Sequence, residues 1–231
     1  MLYKYEMHLH TSEASLCGMN SAVEMVRAQK QAGYAGCVVT DHFFNGNTAI
    51  DRSLPWEQKV RAFYKGYEHA RKEGEKLDFD VLFGLEYLVP GAYEFLVYGI
   101  GLDFLLENPD FDKLPRQEFA RRVHNAGGLI SHAHPYREAL YIDSARGPYP
   151  EICDAVEVYN HCNRNPLWNE KARLLADRCS LLYTSGSDTH TVDNAGNAGM
   201  AFPFRIRNSA QLVTALKCGE GKLIINGNVV E

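Results

Sequence analysis

The sequence predicts an α/β fold, a barrel of mostly parallel strands, and three observations predict it. Seven short apolar stretches recur at residues 2–7, 36–40, 81–85, 95–100, 128–132, 155–159 and 181–185. Segments with apolar residues at three-and-four spacing lie between several of them, at 21–31, 56–76, 116–125, 169–178 and 209–218. Most of the stretches end in a polar or metal-competent residue. Strand and helix in alternation select a parallel sheet covered by helices, and barrels of that class carry their reactive side chains at the carboxyl ends of the strands.

Taken in order, the first strand runs into Met7-His8-Leu9-His10-Thr11. Ser21, ahead of Ala22 and Glu24, caps the first helix, and Gly33 stops it. The second strand ends in Thr40-Asp41-His42 and the third in Gly84-Leu85-Glu86, while the fourth begins beside Glu94. Residues 103–115, with Pro109 and Pro115, read as a long loop over the barrel mouth. The helix at 116–125 stops at Gly127-Gly128, and the fifth strand leads into Ser131-His132-Ala133-His134-Pro135. A second long loop covers 136–150, the sixth strand carries Glu157 and Asn160, and the seventh ends in Gly186-Ser187-Asp188-Thr189-His190.

Length and composition bound the class. A chain of 231 residues, 45% hydrophobic and 23% charged, buries a full core and reads as one globular domain over 1–231. A net charge of -5 gives no basic footprint for duplex nucleic acid, so a nucleic-acid partner is disfavoured. No apolar run approaches the ~20 residues that span a bilayer. The six cysteines form no CxxC pair and no basic-then-apolar leader is present, so reduced, buried packing thiols in a cytoplasmic protein are expected. Phosphate-cradling Gly loops, GxSxG elbows and dinucleotide fingerprints are absent.

The chemistry lies in the strand ends. Side chains alternate along a strand, so His8 and His10 share one face and can chelate one divalent ion. Alone, that pair is weak evidence. The later strand ends add His42, His132, His134 and His190 with Asp41, Asp188 and Glu86. Imidazole nitrogen and carboxylate oxygen suit Zn, Mn or Fe, and a bridging carboxylate holds two ions roughly 3.5 to 4 Å apart.

In this order the motifs HLHT, TDH, GLE, HAHPYR and GSDTH resemble the PHP superfamily, named for polymerase and histidinol phosphatase, over nearly the whole chain. The resemblance implies a distorted seven-stranded β/α barrel with two or three divalent ions at its carboxyl end, and hydrolysis of phosphate esters. It implies that His8 and His10 bind a first ion with Asp188, and that Glu86 bridges to a second ion that also takes His134. Glu86 and Asp188 thereby become the expected catalytic carboxylates. His42 and His190 would bind a third ion. The third histidine that relatives carry shortly after HxH has no counterpart here, where Leu16, Cys17, Gly18 and Met19 stand. Glu13 is expected to substitute as an oxygen ligand, which favours Mn or Fe over Zn.

Glu94 occupies the place of a histidine in many relatives and reads either as a ligand or as an exposed charge. His132 is expected to support the site or face substrate. Arg137 is expected to grip a phosphate or carboxylate through two parallel hydrogen bonds. Asn160 is expected to line the pocket and Glu157 to orient a ligand imidazole. Asp41 either orients His42 or binds metal itself. The expected activity is hydrolysis of a small phosphate ester by a metal-activated water. Amidohydrolase-like cleavage of a non-phosphate bond and an inactive binding module are the alternatives.

Overall fold

The structure, a computed structural model, describes residues 1–89, 92–143 and 145–230. Residue 144, inside the second predicted loop, lies outside that set. Seven strands follow in chain order: β1 (Tyr3–Leu9), β2 (Gly36–Val39), β3 (Asp80–Val89), β4 (Tyr93–Tyr98), β5 (Leu129–His132), β6 (Ala155–Asn160) and β7 (Leu182–Gly186). Three more, β8 (Ala198–Phe202), β9 (Lys222–Ile225) and β10 (Asn228–Val230), complete one sheet in the order β10-β9-β8-β1-β2-β3-β4-β5-β6-β7. The helices are α1 (Ala22–Gln31), α2 (Trp56–Leu77), α3 (Leu102–Glu107), α4 (Arg116–Asn125), α5 (Pro166–Cys179) and α6 (Ser209–Lys217).

The α/β architecture expected from the sequence is present, in a sheet that curls as a half-barrel. The regular alternation is broken at one place. β3 and β4 are joined as an antiparallel hairpin with no helix between them, and β4 also pairs antiparallel with β5. The first residues of β4 therefore lie at the carboxyl ends of β3 and β5. The other pairings among β1, β2, β3, β5, β6 and β7 are parallel. β8 pairs antiparallel with β1, and β9 and β10 extend that edge. These three strands are short, and their few apolar residues give no long alternating pattern.

The two flanks of the sheet are drawn together where β7 ends. Thr189 donates its N–H to the His8 carbonyl at 3.1 Å, and His10 donates to the Thr189 carbonyl at 3.0 Å. Ser185 adds a hydroxyl bond to the Ile224 carbonyl at 2.7 Å. Gly186 permits this approach, because a Cβ there would stand 2.5 Å from the His8 Cβ and 2.6 Å from a Glu157 carboxylate oxygen.

Helix boundaries follow their local chemistry. Ser21 and Glu24 form a reciprocal capping box at the start of α1. The stretch 103–115 is no plain loop: it holds α3 and a 3-10 turn at Phe111–Lys113, because Leu105 and Phe111 bury fully in an aromatic cluster with Phe43, Phe63, Tyr87 and Phe119. Tyr87 stacks on Phe119 at 4.0 Å between ring centroids. A second core lies under α5 and α6, where Tyr5, Tyr98, Phe202 and Leu216 pack together.

Candidate metal centre

Strand alternation sends Tyr5, Met7 and Leu9 into apolar packing and turns His8 and His10 to the opposite face. Both rings are fully buried, and their Nε2 atoms stand 3.1 Å apart. Their outer nitrogens are committed. His8 Nδ1 donates to Glu157 Oε1 at 3.0 Å. His10 Nδ1 meets the Ser15 hydroxyl at 3.1 Å, and that hydroxyl donates onward to Asp41 Oδ1 at 2.7 Å, so it accepts from the imidazole. Each ring thus turns its Nε2 inward, toward the other ring and the carboxylates of the centre. With both rings neutral these nitrogens offer one cation two ligand atoms; without an ion, and against the burial of the ring, Asp188, Glu157 and Glu86 raise the His8 pKa well above the usual imidazole value, so a proton stands where a cation would. Asp188 Oδ1 is 3.4 Å from His8 Nε2 and 3.3 Å from His10 Nε2.

Glu86, at the carboxyl end of the β2–β3 pair, is the hub. Its carboxylate lies 3.3 Å from His8 Nε2, 3.4 Å from His10 Nε2, 3.2 Å from His134 Nε2 and 2.8 Å from His42 Nδ1. Burial works against ionisation here, but His42, His8 and the bond from His134 outweigh it and hold the carboxyl well below its usual range. Asp188 is held low in the same way, against its burial, by His8 and Arg137. His10 is pushed the other way, well below the ordinary imidazole value, by burial and by its neighbours His190 and His42.

Glu94, delivered by the reversed strand β4, is 7% exposed and sits 3.6 Å from both His134 Nε2 and His42 Nδ1. It faces the centre rather than solvent. Burial and the adjacent Glu86 raise its carboxyl to about 7.

Among the described residues four groups of donors result, each with ligand atoms within 4.8 Å of one another: His8-His10-Asp188, His8-Glu86-His134, His42-Glu86-Glu94 and His10-His42-His190. Glu86 Oε2, Asp188 Oδ2 and His42 Nδ1 are buried without a well-directed hydrogen bond. A set of imidazoles and carboxylates converging with ligand atoms this close, several without directed hydrogen bonds, fits divalent ions. His134 and Asp188 also hold positive φ angles of 27° and 54°. Backbone strain of this kind costs on the order of 1–3 kcal/mol per residue and gathers at functional sites.

Several sequence expectations are corrected. Glu13 does not join the centre: its carboxylate accepts the Ala22 N–H at 2.9 Å, at the start of α1, and lies 3.3 Å from His69 Nδ1. His132 faces away from the cavity. Its ring packs 4.4 Å from the Phe95 centroid, and desolvation lowers its pKa to about 3. Asn160 does not line the cavity either, but accepts from Arg137 at 2.9 Å and donates to Glu157 at 2.8 Å. Asp41 turns to Thr11 and Ser15, not to the His42 ring. All six cysteines are unpaired, yet only Cys37 is buried, and Cys17 lines the cavity.

Arg137 reaches the mouth, with its guanidinium 2.6 Å from Asp188 Oδ2 and held by Asn160 and Asn163. The cavity above the centre, about 560 Å³, is also walled by Asn45, Asn47, Leu88 and Tyr141. Glu157 ties the arrangement together, binding His8 Nδ1 with one oxygen and the His134 N–H with the other at 3.0 Å. Glu157→Gln is therefore expected to weaken metal affinity by roughly 10–100-fold, read by competition against a chelating dye. Unchanged affinity would remove Glu157 from the support of both rings.

Against solved structures, the chain matches a two-domain protein from Bacteroides vulgatus containing a predicted PHP-like metal-dependent phosphoesterase. The TM-score is 0.68 at 16% identity, covering 100% of this chain and 67% of that one. The chain has the PHP fold. A PHP-associated family model matches residues 166–220 within it, the segment from α5 to α6 that carries Asp188 and His190. The same fold relates it to an amidohydrolase from Chromobacterium violaceum solved with sulfate (TM-score 0.59, 15% identity, 92% of this chain and 96% of that one). It also relates it to a lesion-specific endonuclease from Pyrococcus furiosus (TM-score 0.63, 14% identity, 98% and 58%). No curated protein matches the chain. Within the PHP fold the centre lies where β1, β2, β3, β5 and β7 end. No helix among the described residues is long and apolar enough to cross a membrane.

Proposed function

We propose that this chain is a metal-dependent phosphoesterase for a small phosphate ester, acting as one unit over 1–231. The observation that carries the reading is the pair of inward-facing Nε2 atoms of His8 and His10, 3.1 Å apart and ringed by Glu86, Asp188 and His134. His8, His10 and Asp188 would hold one ion, and Glu86 would bridge to a second held with His134 and Glu94. Divalent ions in such a site lower the pKa of water to near 7 and polarise a phosphoryl oxygen.

The chain supplies the rest. Arg137, fixed by Asn160 and Asn163, presents a planar guanidinium at the cavity mouth, where two of its N–H groups can grip phosphate oxygens as negative charge grows. Glu157 and Ser15 hold the outer nitrogens of His8 and His10, which keeps their Nε2 atoms aimed inward. A cavity of about 560 Å³ suits a small molecule. The net charge of -5 supports a small substrate over a nucleic-acid backbone.

The test is elemental analysis of protein purified without chelator, paired with hydrolysis of an aryl phosphate with and without added Mn²⁺. Two or three ions per chain with metal-dependent turnover support the reading. Bound ions without phosphate-ester turnover favour an amidohydrolase-like bond cleavage, and no bound ion after reconstitution refutes a metal centre.

A further inference from the structure

The permanent charges around the cavity are few. Glu86, Glu94 and Asp188 belong to the metal centre, and beyond them Arg137 is the one Lys, Arg, Asp or Glu among the described residues that wall the space. Arg137 is itself largely committed. Its Nη2 meets Asp188 at 2.6 Å and Asn160 at 2.9 Å, and its Nε donates to Asn163 at 3.2 Å. Nη1, with two N–H groups, is the nitrogen left for a ligand, which is enough to grip one phosphoryl group and no second one.

Much of the remaining wall offers carbon. Leu88, Ala92 and Tyr141 line it. Asn45 stands beside them, but its amide is turned back on the chain: Nδ2 donates to the Leu88 carbonyl at 2.6 Å, and Oδ1 faces the Leu88 N–H at 3.5 Å. The Gly46 carbonyl is likewise taken, by the Arg52 guanidinium at 2.5 Å. Polar groups of the loop after β2 are thus used within the protein rather than held for a ligand. Asn47, an exposed residue of the same wall, keeps its amide free. At about 560 Å³ the space is in the range that holds a whole small molecule, so a substrate has a substantial part outside its phosphate.

We propose that the substrate is a phosphate monoester of an uncharged, largely apolar alcohol or phenol, and that Tyr141 sets this preference by packing against the leaving group. The proposal rests on the phosphoesterase reading above and names the substrate class within it. A second phosphate or a carboxylate on the leaving group would meet no second Lys or Arg in this wall, and an ammonium would meet no carboxylate outside the centre. Covering such a charge without a partner is costly, whereas covering an apolar group is favourable. Tyr141 is 57% exposed with its site empty of substrate, so an aromatic or aliphatic group laid on it removes apolar surface of both from water. It follows Arg137 by four residues in the same loop, which puts the grip on the phosphate and the contact to the leaving group on one segment.

The experiment is calorimetric titration of the metal-loaded full chain with four phosphonates that cannot be hydrolysed: methyl-, phenyl-, 2-aminoethyl- and 2-carboxyethylphosphonate. Phenylphosphonate is expected to bind at least ~10-fold more tightly than methylphosphonate, because a phenyl ring covers more apolar area than the two CH₂ groups that already give such a factor. The two charged compounds are expected to bind no more tightly than methylphosphonate. In Tyr141→Ala the phenyl-to-methyl ratio is expected to fall by roughly 2–10-fold, the scale of one aromatic contact. Truncating so exposed a side chain spares the core, and a thermal melt matching wild type keeps a folding defect apart from a lost contact. Tighter binding of either charged compound than of phenylphosphonate, or a ratio unchanged in Tyr141→Ala, overturns the proposal and leaves the phosphoesterase reading standing. If none of the four binds to protein whose ion count shows a loaded centre, the phosphoesterase reading fails and this proposal with it.

Discussion

Glu86→Gln is expected to release at least one ion and to lower hydrolysis by at least ~10²–10³-fold, the scale on which removal of one preorganised charge-stabilising group acts. The carboxylate has four imidazole nitrogens within 3.4 Å. Glutamine keeps the shape and one acceptor oxygen, but places an N–H group where an anion had faced those rings. The substitution also removes negative charge from a site where no solvent can replace it, since Glu86 is 1% exposed. Ion count and single-turnover hydrolysis read the effect together. If Glu86→Gln retains its ions and its rate, the hub assignment is wrong. If it retains its ions and loses its rate, Glu86 acts on the reacting atoms rather than as a bridge.

Stripping the ions with a chelator is expected to lower the melting temperature by roughly 10 °C, and adding Zn²⁺ or Mn²⁺ back to restore it. An ion at a thousand times its Kd stabilises the folded state by about 4 kcal/mol, and in a chain of this size each kcal/mol moves Tm by roughly 2–4 °C. The physical source is the centre itself. Without ions the buried carboxylates of Glu86, Glu94 and Asp188 crowd one centre, and protons on rings such as His8 must offset the charge that ions would balance. Calorimetry in the presence and absence of chelator measures the difference. A melting temperature indifferent to metal would mean that no ion is bound tightly enough to be linked to folding.

The legible part of this protein was the part written in local patterns. β-strand alternation in Met7-His8-Leu9-His10 placed two imidazoles on one face, and the structure has them there. Ser21 and Glu24 read as the start of α1 and form its capping box. The strands at 129–132 and 155–160 and the helix at 116–125 were likewise visible as short apolar runs or three-and-four spacing. β8, β9 and β10 were not, because strands this short derive their order from the neighbours they pair with.

Glu13 and Cys17 show the limit from the other side. Both follow the HxH motif within seven residues, and residue type favoured the carboxylate as ligand. Loop geometry took the carboxylate away from the centre. Backbone bonds from Ser12, Leu16, Gly18 and Met19 bend the chain so that Glu13 meets α1 and Cys17 lines the cavity. Glu94 turned inward for a comparable reason: a strand run in reverse places its first residues at the end where the parallel strands finish.

The sequence by itself therefore determined the α/β class, the strand ends and the inventory of donors, since each depends on periodicity and residue chemistry within a few positions. Only the tertiary structure decided which donors converge. Convergence depends on contacts between residues as far apart as His8 and Asp188 or Arg137 and Asn160, on the Gly186 approach that joins β7 to β1, and on the reversal of β4. Those are properties of chain path and packing, and no local pattern encodes them.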